Sequence, residues 1–407
     1  MRWTGLPRNL VLIYLIVVAT YSTEGFITVV LAPYLQHQGI ALSQIGAIVS
    51  AMAVASLFSR LPAGLLYRPG RANAAIALAA VTVAAATFAY PRTDSELLLG
   101  AIRLIHGFAF GVSTTLNMAQ FFDVRPPSFE RGRAMGLFAA CLALGNMLGN
   151  FLGGWWADTF GFESAFTVAA VFPLAAALIN LQIRTPPRVG APRPAAQLSA
   201  TLPASLAALR NPGILLAALL LFCVNTLNQM FNPFFNLYAL SIGLSLTMAG
   251  ILRGTASFSG VFTRLFAGEL GRWWSYQTIS RAGITLSAIA VFLVPTTTLG
   301  VLLAPLVVSV SVLRAILTVT GGVSVIDATD ATAEQRGVAS GLFNMGKDLG
   351  SIAGPLLGGL VAGWIGVGPM MQVIAVATLV LFWGGAVLLE PRIRARARPG
   401  VGPQPVA

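Results

Sequence analysis

Twelve stretches of this chain are apolar for about the length of a bilayer crossing. They lie near residues 8–35, 43–66, 72–90, 95–122, 134–157, 163–183, 213–237, 246–270, 278–296, 299–325, 337–362 and 368–389. A hydrocarbon core of ~30 Å takes about 20 residues of helix, and within it every backbone N–H and C=O has to be bonded inside its own segment. Continuous apolar runs of that length predict an all-α membrane protein of twelve transmembrane helices. A soluble core is excluded by composition: 56% of the residues are hydrophobic and 9% charged, where soluble domains carry roughly 25% charged residues.

Charge sets the expected topology. The opening MRWTGLPRNL is charged, but the apolar run behind it continues past signal-peptide length without a small-residue cleavage site, so it is read as the first span. With twelve spans both ends share a side. Loops on that side hold Arg68, Arg71, Arg125, Arg131, Arg133, Arg184, Arg188, Arg193, Arg210, Arg272 and Arg336, with the tail RIRARAR, whereas the opposite loops hold only Arg92. The positive-inside rule then puts both termini in the cytoplasm of a multi-pass inner-membrane protein. The net charge of +12 follows from that topology and from attraction to anionic lipid, and needs no nucleic acid. Cys141 and Cys223 fall within spans and read as small packing residues. Two histidines and two cysteines supply neither a metal cluster nor a nucleophile with its base, and no loop ending in Gly-Lys-Ser or Gly-Lys-Thr is present. An enzyme and a bound cofactor are therefore not expected.

The segment RTPPRVGAPRPAAQLSATLPASLAALRNP, residues 184–212, is rich in Pro and Ala and reads as a cytoplasmic linker. It divides the chain into six-helix bundles at 1–183 and 213–390, followed by a tail at 391–407. The halves repeat one another. Shifted by 205 positions, RGRAMGLFAACLALGNMLGNFLGG at 131–154 falls on RGVASGLFNMGKDLGSIAGPLLGG at 336–359, and SRLPAGLLYR from Ser59 echoes TRLFAGELGR from Thr263. Two halves of like orientation form the parallel repeat found in one class of secondary transporter.

On these residues the chain resembles the major facilitator superfamily. Gly341, Gly350, Gly354, Pro355, Gly358 and Gly359 have the spacing of its antiporter signature in the eleventh span. Gly136, Gly145, Gly149, Gly153 and Gly154 repeat that spacing in the fifth, with Asn150 where proline is expected. Arg103, Gly107 and Gly111 resemble its fourth-helix signature. Arg60, Pro62, Gly64, Arg68, Gly70 and Arg71 match its second-loop signature in part, without the usual acidic residue. The resemblance implies that spans 1, 4, 7 and 10 line a central cavity.

Small residues every four positions, as at Gly346, Gly350, Gly354 and Gly358, form one helix face that admits a close neighbour. Gly145, Gly149, Gly153, Gly350, Gly354, Pro355 and Gly358 are expected to form smooth seams on which the halves rock. The other face of the eleventh span carries Ser340, Asn344, Lys347 and Ser351, with Asp348 at its margin, and Lys347 is the one lysine of the chain. None of these residues has a polar or charged equivalent in the fifth span except Ser351, which meets Asn146. A polar stripe added to one copy of a duplicated scaffold suggests solute or ion binding, with charge pairing for packing as the alternative. Ionisable groups inside a membrane are functional candidates. Glu24, Asp348 and His106 are the candidates for proton coupling, although a lone histidine is more often a packing residue. Arg103, Arg314, Asn344 and Lys347, with the amide face Asn225, Asn228, Gln229 and Asn232, are the candidates for solute binding. Arg253 is assigned to an external vestibule, and Arg60 and Arg264 to the cytoplasmic rim. The expected function is proton-coupled secondary transport of a small anionic or zwitterionic solute by a monomer, with export by antiport ahead of anion import by symport or lipid flipping.

Overall fold

The computed structural model describes residues 7–68, 72–126, 130–183, 211–267, 269–297, 299–327 and 333–396. Most of the linker and the end of the tail, with Gly70, Arg71, Arg184, Arg188, Arg193 and Arg210, lie outside these residues, and the side chains of Arg336 and Ser340 lie outside those described. Among the described residues there is no strand.

The first half comprises α1 (Arg8–His37), α2 (Leu42–Leu66), α3 (Ala72–Ala89), α4 (Glu96–Val124), α5 (Arg131–Phe160) and α6, which runs as Phe162–Ala169 and Val171–Asn180. The second comprises α7 (Pro212–Ser241), α8 (Leu246–Ala267), α9 (Tyr276–Leu293), α10 (Gly300–Asp327), α11 (Ala333–Ile365) and α12 (Val367–Arg396). The break in α6 has a local cause: Pro173 has no N–H to give the carbonyl of Ala169. Eleven of these helices are long and apolar enough to cross a membrane. The remaining one, α8, carries Arg253, Arg264 and several hydroxyls, which lower its hydropathy.

The duplication is visible in the turns. Gly39, Gly161, Gly243 and Gly366 have φ between 80° and 83°, a left-handed conformation open to glycine. They end α1, α5, α7 and α11, so the same tight turn recurs at matching points of both halves. Short 3₁₀ turns at Tyr90–Arg92 and Val294–Thr296 likewise follow α3 and α9.

Glycine rows determine the helix packing, and they correct an expectation. A methyl group on Gly145 or Gly149 would overlap the backbone oxygen of Val18 or Ser22, and one on Gly153 would stand 2.9 Å from that of Phe26. The row therefore seats α5 on α1. In the second half, methyl groups on Gly346, Gly350 and Gly354 would strike the carbonyls of Ala218, Phe222 and Thr226, and one on Gly358 the Met230 side chain. These positions of α7 also advance by four, so the rows interlock α11 with α7 over three turns. Gly145, Gly149, Gly153, Gly350, Gly354 and Gly358 consequently lie inside the halves rather than between them, because the i, i+4 face of α5 and α11 points at the first helix of its own bundle.

Contact between the halves uses the adjacent face. Gly46 of α2 meets the Pro355 carbonyl and Gly359 of α11, and at the matching place Gly250 of α8 meets the Asn150 carbonyl and Gly154 of α5. Pro355 thus stays at the interface. Asn236 Nδ2 donates to the Thr28 carbonyl at 2.8 Å, and the Asp158 carboxylate accepts from the amides of Leu246 and Thr247 at 3.2 and 2.7 Å and from Thr247 Oγ1 at 2.6 Å. All these contacts lie toward the end of the bundle opposite the termini and close it.

Candidate functional site

Between the halves lies a cavity of about 440 Å³, within the range of small-molecule sites. It is lined from α1, α2, α4 and α5 on one side and α7, α8, α10 and α11 on the other. The expected helices 1, 4, 7 and 10 are all present; α2, α5, α8 and α11 line it as well. A second cavity of about 600 Å³ shares Tyr21, Arg60, Leu142 and Lys347 and reaches Val17, Met118 and Phe122. Those residues stand toward the termini on α1 and α4, so the space continues to that face while the opposite end is shut.

Glu24 sits midway along α1, and its Oε1 is 2.9 Å from Nε2 of His106 on α4. His106 is fully buried. Its Nδ1 is 3.3 Å from the Tyr90 hydroxyl, to which Arg103 Nη1 donates at 3.4 Å. One turn of α4 separates Arg103 from His106, placing both beside α1. Glu24 and Arg103 line the cavity and His106 stands behind them. The result is a chain from the cavity through a carboxylate and an imidazole to a phenol and a guanidinium, able to hold or pass a proton.

Asn225, Asn228, Gln229 and Asn232 all reach the cavity from α7. Asn232 Nδ2 donates to Asn228 Oδ1 at 3.2 Å and Gln229 Oε1 at 2.9 Å, and its backbone oxygen accepts from Arg253 Nη1 at 2.5 Å. Arg253 Nε also donates to Asn150 Oδ1 at 3.4 Å. Arg253 therefore faces the cavity and not an external vestibule, because one turn of α8 past the Gly250 contact points inward.

On α11, Lys347, Asp348 and Ser351 line the cavity. Asn344 does not: it is exposed one turn nearer the termini. Asp348 does not pair with its neighbour Lys347; its Oδ1 takes Arg60 Nη1 from α2 at 2.9 Å, joining the halves. Arg60 and Arg264, expected at the cytoplasmic rim, also line the cavity, with the Arg60 side chain 42% exposed. Their positions on the inward-facing stripes of α2 and α8 become visible once helix rotation is known. Tyr90, which bridges His106 to Arg103, has no sequence signal, since nothing in an isolated tyrosine in the turn after α3 points to that role. The cavity is thus lined by Arg60, Arg103, Arg253, Arg264, Arg314 and Lys347 against Glu24 and Asp348, four more positive charges than negative.

Comparison with known proteins agrees with this architecture. A model described as Major Facilitator Superfamily matches residues 13–329. An uncharacterised MFS-type transporter of Methanocaldococcus jannaschii is 23% identical over 395 residues, covering 92% of this chain and 97% of that protein. The chromaffin granule amine transporter of Rattus norvegicus is 26% identical over 219 residues, 51% of this chain and 39% of the relative. Among solved structures, a variant of the nucleoside transporter NupG superposes with a TM-score of 0.78 at 15% identity, covering 93% of this chain and 99% of that one. A bacterial homologue of the human lysosomal transporter Spinster, inward-facing and unoccupied, gives a TM-score of 0.76 at 14% identity, covering 98% and 100%.

Proposed function

Because this chain belongs to the major facilitator superfamily, a family of multi-pass membrane transporters that carry small solutes by alternating access and not of enzymes, we propose that it is a proton-coupled carrier that exports an anionic solute. The observation that carries the reading is the joining of the Glu24–His106 pair to a cavity with an excess of basic side chains. With both termini in the cytoplasm of the inner membrane, the cavity opens inward, where an exporter loads. The solute binds among the cations. A proton arriving from outside settles on Glu24, where His106 and the Tyr90–Arg103 pair adjust to the change of charge, and the halves rock as rigid bundles about the Gly46–Gly359 and Gly250–Gly154 contacts.

Export follows the antiporter spacing of Gly341 to Gly359; symport of an organic anion would use the same charges in the other direction. The amine transporter among the relatives raises a different solute class, a cation. The charge of this cavity opposes it, because an amine would add to an unbalanced positive field in low dielectric. The deciding experiment is uptake by everted and right-side-out vesicles under an imposed pH gradient, using radiolabelled anions that stabilise the purified protein. Antiport predicts accumulation in everted vesicles with an acid interior. Accumulation in right-side-out vesicles with an acid exterior would establish symport instead.

A further inference from the structure

The eight charged side chains of the cavity do not share their partners evenly. Glu24 is bonded to His106, and Asp348 to Arg60. Arg253 is held by the Asn232 carbonyl and Asn150, and Arg103 by Tyr90. Arg264, Arg314 and Lys347 also line the cavity, yet among the described residues none of the three side chains has an ion-pair or hydrogen-bond partner. They come from α8, α10 and α11 of a single half, and Lys347 is within electrostatic range of both arginines. Three neighbouring cations in a membrane-embedded space repel one another, and among the described residues no carboxylate is bonded to any of them: Asp348, in range of Lys347, is bonded to Arg60. Both cavity carboxylates are already engaged, so among the described residues no internal anion is left for them. Amides can donate to an oxyanion there but cannot neutralise these charges.

We propose that the solute is a compact oxyanion with at least two negative charges, a dicarboxylate, tricarboxylate or phosphomonoester, anchored by Arg264, Arg314 and Lys347. A monoanion would leave two of the three cations uncompensated. The two arginines offer forked donors that fit carboxylate or phosphate edges, and Lys347 adds a point charge. The proposal rests on the transport reading above but concerns binding at rest, which needs neither a gradient nor the proton site.

The full chain, purified into phosphatidylcholine nanodiscs, is titrated with acetate, succinate, citrate, glycerol 3-phosphate and inorganic phosphate at constant ionic strength set with chloride, and affinity is read from thermal shift. Affinity should climb with charge, succinate or glycerol 3-phosphate binding at least about tenfold more tightly than acetate. The better of the carboxylate and phosphate arms identifies the oxyanion. Arg314→Gln and Lys347→Gln should each weaken that ligand about tenfold or more, and Arg314→Lys by less. Should the Gln variants fail to fold, the wild-type protein still tests the proposal, because affinity for a dianion has to fall more steeply with added salt than affinity for acetate. Equal affinity across the charge series, a response to chloride alone, or stabilisation by phosphatidic acid with no response to a soluble anion would overturn it. Charge-ranked binding without proton-driven flux would instead remove the coupling reading and leave this one standing.

Discussion

Glu24 shares a hydrogen bond with a histidine rather than an ion pair with an arginine, and that determines how it is best tested. Glu24→Gln keeps the size and hydrogen-bonding capacity of the side chain while removing its ability to bind a proton. Flux driven by a pH gradient should be lost, while solute exchange at zero gradient stays within a few-fold of wild type in proteoliposomes. A normal response to the gradient in the Gln variant would take Glu24 out of the mechanism. The charges on α11 call for a different measurement. Since Asp348 pairs with Arg60 across the halves, a double-mutant cycle on melting temperature should show coupling of roughly 1 kcal/mol between those two, with one partner 42% exposed. The cycle on Lys347 and Asp348 should show markedly less. Equal coupling in both cycles would mean that Lys347 pairs inside the protein and is not held free for a ligand. Sequence identified Glu24, His106, Asp348 and Lys347 as ionisable groups at membrane depth. It could not pair them, because Glu24 meets His106 across 82 positions and Asp348 meets Arg60 across 288.

The glycines of a single helix divide into two working faces. Gly350 belongs to the face that seats α11 on α7, so Gly350→Leu forces a side chain into the α7 backbone of the same half. Overpacking of this kind costs roughly 1–3 kcal/mol, and the expected result is a lower melting temperature and yield. Gly359 belongs to the face against α2. A methyl group there stands 2.6 Å from the Leu42 oxygen and 2.7 Å from the Gly46 Cα, atoms of the other half that can separate by rocking. Gly359→Ala should therefore leave the melting temperature nearly unchanged and populate states open at the far end. Spin labels at Gln36 and Ser241, at the far ends of α1 and α7, report this as a longer distance. An unshifted distance distribution would show that the α2–α11 contact does not limit closure.

At the scale of the whole molecule, the far end is held shut by few polar contacts, and Asp158 makes three of them. Its carboxylate caps the first turn of α8 from the other half, where free amides and the helix dipole favour an anion. The contact has to break each time the cavity opens at that end. Removing a cap costs about 1 kcal/mol, so Asp158→Ala should shift the closed-to-open ratio at that end about fivefold toward open. The same spin-label pair measures it, and added salt should move the wild-type protein in the same direction. No change in the variant would mean that the glycine contacts and the Asn236–Thr28 bond close the far end without it.

Twelve spans, their duplication, the glycine rows and the presence of charges at membrane depth follow from the order of residues alone. Length and hydropathy answer to the bilayer, and a repeat is a property of the string. Which way each helix is turned was decided by the tertiary structure, since a row of small residues says that something packs closely but not what. That rotation sent the rows of α5 and α11 to α1 and α7 within their own halves, left Gly46, Gly154, Gly250 and Gly359 to join the halves, and brought Arg60, Arg253 and Arg264 into the cavity. It also kept Asn344 out. The local sequence around Lys347 offers Asp348 as its partner, one residue away, but neighbouring residues on a helix point about 100° apart, and only the approach of α2 gave Asp348 to Arg60.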